Sequence, residues 1–498
     1  MRASHGQPRE EDPLRREQLE RENERLSREV ERLRQELIER DKKIFELERK
    51  LALRLQNSTT SSKPPSSDGL AGEQRPRGSR GKKSRRKPGG QPGHRGHWRG
   101  LAPLSRVDQV IEVFPPKCRH CDSRLSRRVS TEGEPRRHQV TELPPIEAHI
   151  TEYQCQCAIC PECGKATQSE LPREAQGHFG PQLTALIAYL TVVCRMPRRM
   201  VRELLEQVLA IPLSLGGIQN SWEEASEAVA EPCAELEQQL PHEPVVNSDE
   251  TGYRTSGEKR WLWALVAANF VFYKIALTRG AEVLVELLGE VFAGILCSDR
   301  CASYLKYHKG EGQFCWAHFK RNILGIQEIG KTTDAERFCR DALALHARLF
   351  RLWHRFRGGP GVRYGPITRE QLIAKSIPLE KKFFALADRY LDSHDKDVAN
   401  LALALLQHFE KFFAFLRHEG VEPTNNVAER ALRCAVQWRK ISFGSRSAQG
   451  EVAVARLLTV TRTCRMQHRA PLVYLVTALR SHRNALPMPS LLKTASTT

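Results

Sequence analysis

Two aspartates and one glutamate, far apart in the chain, occupy positions that a single fold could gather. Asp249 follows the strand-like run Val245–Ser248 and opens Asp249-Glu-Thr-Gly252, and Asp299 ends the short apolar run Gly294–Ser298. Strands over Val245–Ser248, Arg260–Ala267 and Phe270–Leu277, then a helix over Ala281–Glu290 and a fourth strand, form the order in which a ribonuclease H-like core begins. In that fold the first and fourth strand ends lie side by side, which would bring Asp249 to Asp299. Glu429 is the third acid: Thr424 or Asn425 can cap a helix on which Glu429 and Arg433 stand one turn apart. Alone, each has a plainer reading, an aspartate in a turn or a surface ion pair. Strand alternation turns the neighbouring Glu250 to the opposite face from Asp249, so Glu250 is not counted among the acids of the pocket.

A second chemistry lies upstream. Cys118-Arg-His-Cys121 and Cys160-Pro-Glu-Cys163 each allow one tight turn to aim two thiolates at one ion, and two such pairs make the tetrahedral set of a structural Zn2+ site. Cys155 and Cys157 are rival ligands. Cys315-Trp-Ala-His318 offers only two ligands and reads as structural or positioning. Between Arg75 and Arg99 stand ten basic residues and no acid, among them Lys82, Lys83, Arg85, Arg86 and Lys87. Such an arm, broken by Gly and Pro, can neutralise DNA phosphates without reading sequence. Arg430, Arg433, Arg439 and Lys440 are further phosphate-contact candidates beside Glu429. Trp316 and Trp438 are expected in the core rather than against bases.

The elements that must carry these residues can be laid out along the chain. Residues 14–56 read as a coiled coil, with Leu19, Leu26, Leu33 and Leu47 at d and Val30, Leu37, Ile44 and Leu51 at a; Asn23 and Arg40 interrupt the seam. Residues 57–103 are a basic linker, 104–172 a zinc-binding module, and 173–240 a helical, helix-turn-helix-like region with Ser214 as an N-cap. The ribonuclease H-like core occupies 241–331 and resumes at 421–445. Between them, 332–420 is a helical insertion, with helices expected over Ala335–Arg357, Leu379–Leu391 and Val398–Leu416, and 446–498 is a C-terminal helical region. The fold class is therefore multidomain α+β: coiled coil, zinc module, helical DNA-binding region, and an α/β core split by helices. With 498 residues, a net charge of +19 and no apolar run long enough for a bilayer, the chain reads as a soluble intracellular protein with a polyanionic partner and no membrane association. The absence of a secretory leader points to reduced cysteines.

In these motifs the sequence resembles the insertion sequence 66 family of transposases. The resemblance runs through Ser61-Ser-Lys-Pro-Pro-Ser-Ser-Asp68, Gly89-Gly-Gln-Pro-Gly-His-Arg95, the cysteine knuckles, Asp249-Glu-Thr-Gly252, Ser298-Asp-Arg300 and Cys315-Trp-Ala-His318. It continues through Asn425-Asn-Val-Ala-Glu-Arg-Ala-Leu-Arg433 and Trp438-Arg-Lys-Ile-Ser-Phe-Gly444. It implies that Asp249, Asp299 and Glu429 are the acidic triad of a DDE recombinase holding Mg2+ or Mn2+, since three converging carboxylates demand divalent cations. It also implies double-stranded DNA partners (terminal inverted repeats and target DNA), strand cleavage followed by strand transfer, accessory proteins of the same element and a cytoplasmic, nucleoid-associated bacterial setting, while the heptad seam itself points to a homo-oligomer. Two other readings share parts of the pattern: a zinc-containing DNA-binding regulator without catalysis, and a structure-specific nuclease on the same fold.

Overall fold

The computed structural model describes residues 13–55, 100–126, 133–175, 177, 179–330, 332–358 and 365–492. The basic-arm residues Lys82, Lys83, Arg85, Arg86 and Lys87 lie outside them. The described residues divide into two compact units: one of residues 13–55, 151–203 and 213–492, the other of residues 100–150 with Leu204–Pro212.

The first unit starts with α1 (Pro13–Leu55), one continuous helix as the heptads predict. Its seam residues Leu26, Val30, Leu33, Leu37, Ile44, Leu47 and Leu51 are all exposed in the single chain. Arg49, near the helix's end, makes a bidentate pair with Asp397 at 2.9 and 2.8 Å. Next come the short antiparallel strands β1 (Cys157–Ile159) and β2 (Ala166–Gln168). They are followed by α2 (Pro181–Val192), α3 (Arg198–Leu209), α4 (Leu215–Glu227) and α5 (Ala230–Gln239). Ser214 caps α4 as expected, accepting from the Gly217 N–H at 3.0 Å. The outward side of α4 carries Glu223 and Glu227, acids that face away from the core.

A five-stranded mixed sheet forms the centre. It contains β3 (Val245–Thr255), β4 (Glu258–Val266) and β5 (Val271–Ala276), then α6 (Glu282–Leu288), β6 (Ile295–Ser298), α7 (Ala302–Tyr307) and β7 (Gly312–Phe314). The spatial order is β5-β4-β3-β6-β7, with the first three strands antiparallel and β6 and β7 parallel to β3. β3 does not end at Asp249, as its sequence suggests, but runs on to Thr255. The cause is a two-residue turn at Ser256 and Gly257, both at positive φ (50° and 85°), which folds β4 back along the whole of β3. The expected hairpin over Ala268 and Asn269 is present, closed by the Ala267 N–H on the Phe270 carbonyl.

Four helices follow α8 (Trp316–Ile329): α9 (Thr333–Arg357), α10 (Arg369–Arg389), α11 (Lys396–Gln407) and α12 (Phe409–Arg417). Two of them differ from the sequence reading. α10 begins ten residues before Leu379, because Thr368 and Gln371 form a reciprocal capping box and Pro378 is accommodated inside the helix. The stretch Val398–Leu416 is two helices, broken at His408, whose φ of −124° leaves the helical range. After the insertion come α13 (Asn426–Ser442), α14 (Ala448–Met466) and α15 (Pro471–Arg483).

Both faces of the sheet are covered, and alternation on β6 shows it. Leu296 joins a core with α2, α4, α5, α6 and the C-terminal helices, whereas Ile295 and Cys297 join a core built with the insertion. The second core centres on Trp316, whose ring lies within 5.1–5.4 Å of Phe319, Phe383, Phe412 and Phe413. An exposed strand edge invites pairing with other chains, and here both edges are closed by side chains. The Gln313 amide on β7 donates to the Phe412 carbonyl and its oxygen accepts from the Phe415 N–H. At the other edge, Thr459 and Thr463, one turn apart on α14, accept from the β5 N–H groups of Tyr273 and Val271 at 3.0 and 3.2 Å. The C-terminal helices are thus part of the sheet's own core.

Val is nearly isosteric with Thr, so Thr463→Val removes the hydroxyl and strands a buried strand N–H. A loss of about 1–3 kcal/mol in urea denaturation is expected; an unchanged midpoint would show that the edge does not depend on this bond.

Candidate active site

The register of β3 against β6 decides where the first two acids meet. Val245, Val246 and Asn247 pair in parallel with Ile295, Leu296 and Cys297, a constant offset of fifty residues. Carried two residues beyond the last paired residues, the same offset sets Asp249 level with Asp299. Asp299 lies just past the end of β6, and its Oδ1 accepts from the Cys301 N–H at 2.8 Å, which starts α7 and turns the chain away.

Glu429 comes to this pair on the first turn of α13, and Asn425 directs it. Asn425 stands at the N-cap but does not cap with its side chain; its Nδ2 donates to the Ser248 carbonyl at 2.7 Å, one residue before Asp249. Its backbone N–H reaches the Cys315 Sγ at 3.2 Å, and the Trp316 N–H donates to the Pro423 carbonyl at 2.9 Å. The start of α13 is therefore tied both to β3 and to the β7–α8 junction. Asn425 is buried, and its side-chain oxygen has no hydrogen-bond partner.

All three acids are partly accessible. The Asp249 carboxyl is held well above its ordinary range, first by burial, then by the charges of Glu250, Asp299 and Glu429. Glu250 points the other way, as alternation predicts. Its side chain is fully buried, Arg279 Nε donates to it at 2.5 Å, and the Tyr304 hydroxyl donates to its other oxygen. Burial raises its pKa, opposed by Tyr304 and Arg279.

Glu429 has two close neighbours that the sequence reading missed, one of them a cation. Arg321 Nη2 donates to Glu429 Oε1 at 2.9 Å, and His318 Nδ1 stands 3.8 Å from the same oxygen. Both come from the first two turns of α8. Their spacing of three residues within Cys315-Trp-Ala-His318-Phe-Lys-Arg321 is the signal that could have paired them on one face. Burial, then the charge of Arg321, lowers the His318 pKa and favours neutral imidazole. Among the described residues, ligand atoms of Cys315, His318 and Glu429 form the one group of three metal-binding side chains lying mutually within 4.8 Å. The oxygens of Asp249, Asp299 and Glu429 are not drawn together that closely.

The other named residues fall as follows. Arg430, Arg433 and Lys440 are exposed on α13, and Arg439 is partly buried beside Tyr253. Trp316 and Trp438 are both core residues. Each cysteine knuckle, taken by itself, has the same turn. Cys118 N–H donates to the Ser123 carbonyl and Asp122 N–H to the Cys118 carbonyl; Cys160 N–H donates to Lys165 and Gly164 N–H to Cys160. The fourth position after each leading cysteine is left-handed, Asp122 at φ 56° and Gly164 at φ 65°. Hydrogen bonds lower two thiol pKa values, from the Ser123 side chain for Cys121 and chiefly from the Cys163 backbone for Cys160.

A sheet that sets two aspartates level and a later helix that carries a glutamate to them fit a protein of the transposase class. Residues 176–453, more than half of the chain, match the family described as Transposase IS66 family, and the chain belongs to it. Residues 6–100 match a family of unknown function, DUF6444. Two similar proteins come from Sinorhizobium fredii (strain NBRC 101917 / NGR234). The uncharacterized protein y4qI is 27% identical over 257 residues, covering 46% of this chain and 46% of y4qI. The uncharacterized protein y4hP is 24% identical over 416 residues, covering 76% of this chain and 72% of y4hP. The chain thus aligns with about half the length of the first relative.

Because Asp249 faces other negative charges, Asp249→Asn should melt a few degrees higher than wild type in the presence of chelator. An equal or lower melting temperature would show that the acids do not repel one another in the folded protein.

Proposed function

We propose that this protein is a DDE-type transposase that cuts the ends of an insertion sequence at its terminal inverted repeats and joins them to target DNA on a ribonuclease H-like core. What supports the reading most is geometric: the β3–β6 register sets Asp249 level with Asp299, and Asn425 ties the helix that carries Glu429 to β3. Family membership and the strand order β5-β4-β3-β6-β7 support it.

Three hard oxygen donors, one of them destabilised as an anion by the others, suit Mg2+ or Mn2+. Asp249, Asp299 and Glu429 would hold it. When bound, such an ion supplies Lewis-acid stabilisation of charge on phosphate oxygens. The chain's own residues set the stage. Asn425 fixes Glu429 against β3, and Arg321 holds its carboxylate from α8. Exposed Arg430, Arg433 and Lys440, with Arg439, bring cations to the backbone phosphates of bound DNA. In the first reaction, water attacks a phosphodiester, the bond to the 3′-oxygen breaks, and a 3′-hydroxyl is left. In the second, that hydroxyl attacks a target phosphodiester, forming one P–O bond as another breaks. Neither needs a covalent protein–DNA intermediate.

The remaining parts of the reading are organisational. Each knuckle by itself, Cys118 with Cys121 and Cys160 with Cys163, offers two thiolates to structural Zn2+; the turn geometry and lowered thiol pKa values of each support this. The exposed seam of α1 pairs with a second copy as a coiled coil, and Lys82, Lys83, Arg85, Arg86 and Lys87 hold DNA without sequence preference. Among the described residues no helix is long and apolar enough to cross a membrane. The proposed setting is the bacterial nucleoid, with accessory proteins of the same element as further partners.

Two experiments bear on this. An oligonucleotide duplex carrying the element's terminal repeat should be nicked at the repeat end by wild type with Mg2+. Asp299→Ala and Glu429→Gln should fall to background while still binding the duplex. Cleavage by Asp299→Ala at the wild-type rate would contradict the assignment, and cutting of branched DNA regardless of sequence would favour a nuclease. Separately, full-length protein should carry zinc through gel filtration, with the metal-to-protein ratio reduced in Cys121→Ser and Cys160→Ser; metal-free wild type would remove the zinc assignment.

A further inference from the structure

The motif Trp438-Arg-Lys-Ile-Ser-Phe-Gly444 ends in a side chain that neither catalysis nor packing uses. Phe443 is 88% exposed, although a phenylalanine ordinarily lowers its free energy by burying its ring. It also stands in the left-handed region, φ 61° and ψ 19°, at the C-cap of α13, where glycine or asparagine is usual. For a bulky residue this conformation is strained, and nothing buried offsets it.

The surrounding backbone is fixed. Gly444 and Ser445 are buried, and a Cβ on Gly444 would lie 2.2 Å from the Arg254 carbonyl oxygen. Ser445 N–H donates to that carbonyl at 3.0 Å, and Ser256 N–H donates to the Ser445 carbonyl at 2.9 Å. The Ser256 hydroxyl donates to the Arg446 carbonyl at 2.7 Å, and the Tyr253 and Ser445 hydroxyls meet at 2.8 Å. The tip of the β3–β4 hairpin thus clamps the loop, and the ring is presented to solvent on a rigid support. Exposed Lys440, Arg446 and Arg254 flank it on these same segments, and Ile441 beside it is also exposed.

A rigid aromatic ring among exposed cations has the chemistry of a base-stacking platform in single-stranded or locally unpaired DNA. We propose that Phe443 stacks on an unpaired base of the bound DNA, an inference that rests on the DNA-processing reading above. Phe443 lies fourteen residues beyond Glu429 on one helix, about 21 Å at 1.5 Å per residue. At 3.4 Å per nucleotide that is roughly six nucleotides from the phosphodiester at the acids. The ring engages the strand where the duplex opens, and the flanking cations hold its phosphates.

The test compares two probes with full-length protein in chelator, so that neither is cut: a fully paired duplex, and the same duplex with a short unpaired bulge. Wild type should prefer the bulged probe. Phe443→Gly should reduce that preference about fivefold or more, while melting no lower than wild type because glycine relieves the left-handed strain. Phe443→Trp should retain the preference. An unchanged preference in Phe443→Gly, or a lowered melting temperature accompanying its loss, would overturn the inference, the latter by assigning the ring a structural role. Wild type that binds both probes equally would overturn this inference alone, whereas wild type that binds neither would remove the DNA reading beneath it.

Discussion

One side chain joins the parts of the site. The Asn425 amide reaches from the start of α13 to the Ser248 carbonyl, a bond between residues 177 apart in sequence. With the bonds of this turn to the β7–α8 junction and the burial of Ala428, Ala431 and Leu432, it sets the first turn of α13 against β3, and Glu429 with it. The bond is buried, where a lost partner is expensive because no water replaces it. The same residue's backbone N–H reaches Cys315, so the strand that carries the first acid and the helix that orients the last one are indexed to one point.

This indexing gives the insertion a physical role. The insertion at 332–420, which holds four helices, lies between the second acid and the third, and its aromatic core seats α8 through Trp316, whose indole N–H donates to the Phe412 carbonyl at 2.5 Å. α8 in turn presents His318 and Arg321 to Glu429. The insertion therefore buttresses the helix that holds the glutamate's carboxylate in place. Arg321 addresses a second problem. Acids gathered in one pocket repel, and the Arg321–Glu429 pair offsets part of that repulsion in the protein alone.

Much of this was legible in the sequence because it depends on local pattern. The constant spacing of fifty between β3 and β6 follows from where two apolar runs begin, and strand alternation was enough to turn Glu250 inward. The heptads of α1, the Ser214 cap and the β4–β5 hairpin were readable for the same reason. What was not readable depends on tertiary partners. The length of β3 beyond Asp249 is set by a turn at Ser256, where a serine adopts positive φ against its preference, and by pairing along β4. The early start of α10 needed a capping box read through an internal proline. Arg321 went unnoticed because its partner lies 108 residues away, and the closing of both sheet edges by Gln313 and two threonines follows no sequence rule. The Glu429–Arg433 pair, plausible from spacing alone, gives way to the pair with Arg321.

The central claim is that residues from three distant segments surround one cation-binding position. Localised hydroxyl-radical cleavage tests it without any DNA: Fe2+ replaces the native ion, and ascorbate with peroxide cuts the polypeptide backbone next to wherever the iron sits. The account predicts cuts clustered near residues 249, 299 and 429 together, all suppressed by excess Mg2+. Cuts confined to one of these segments, or insensitive to Mg2+, would contradict it.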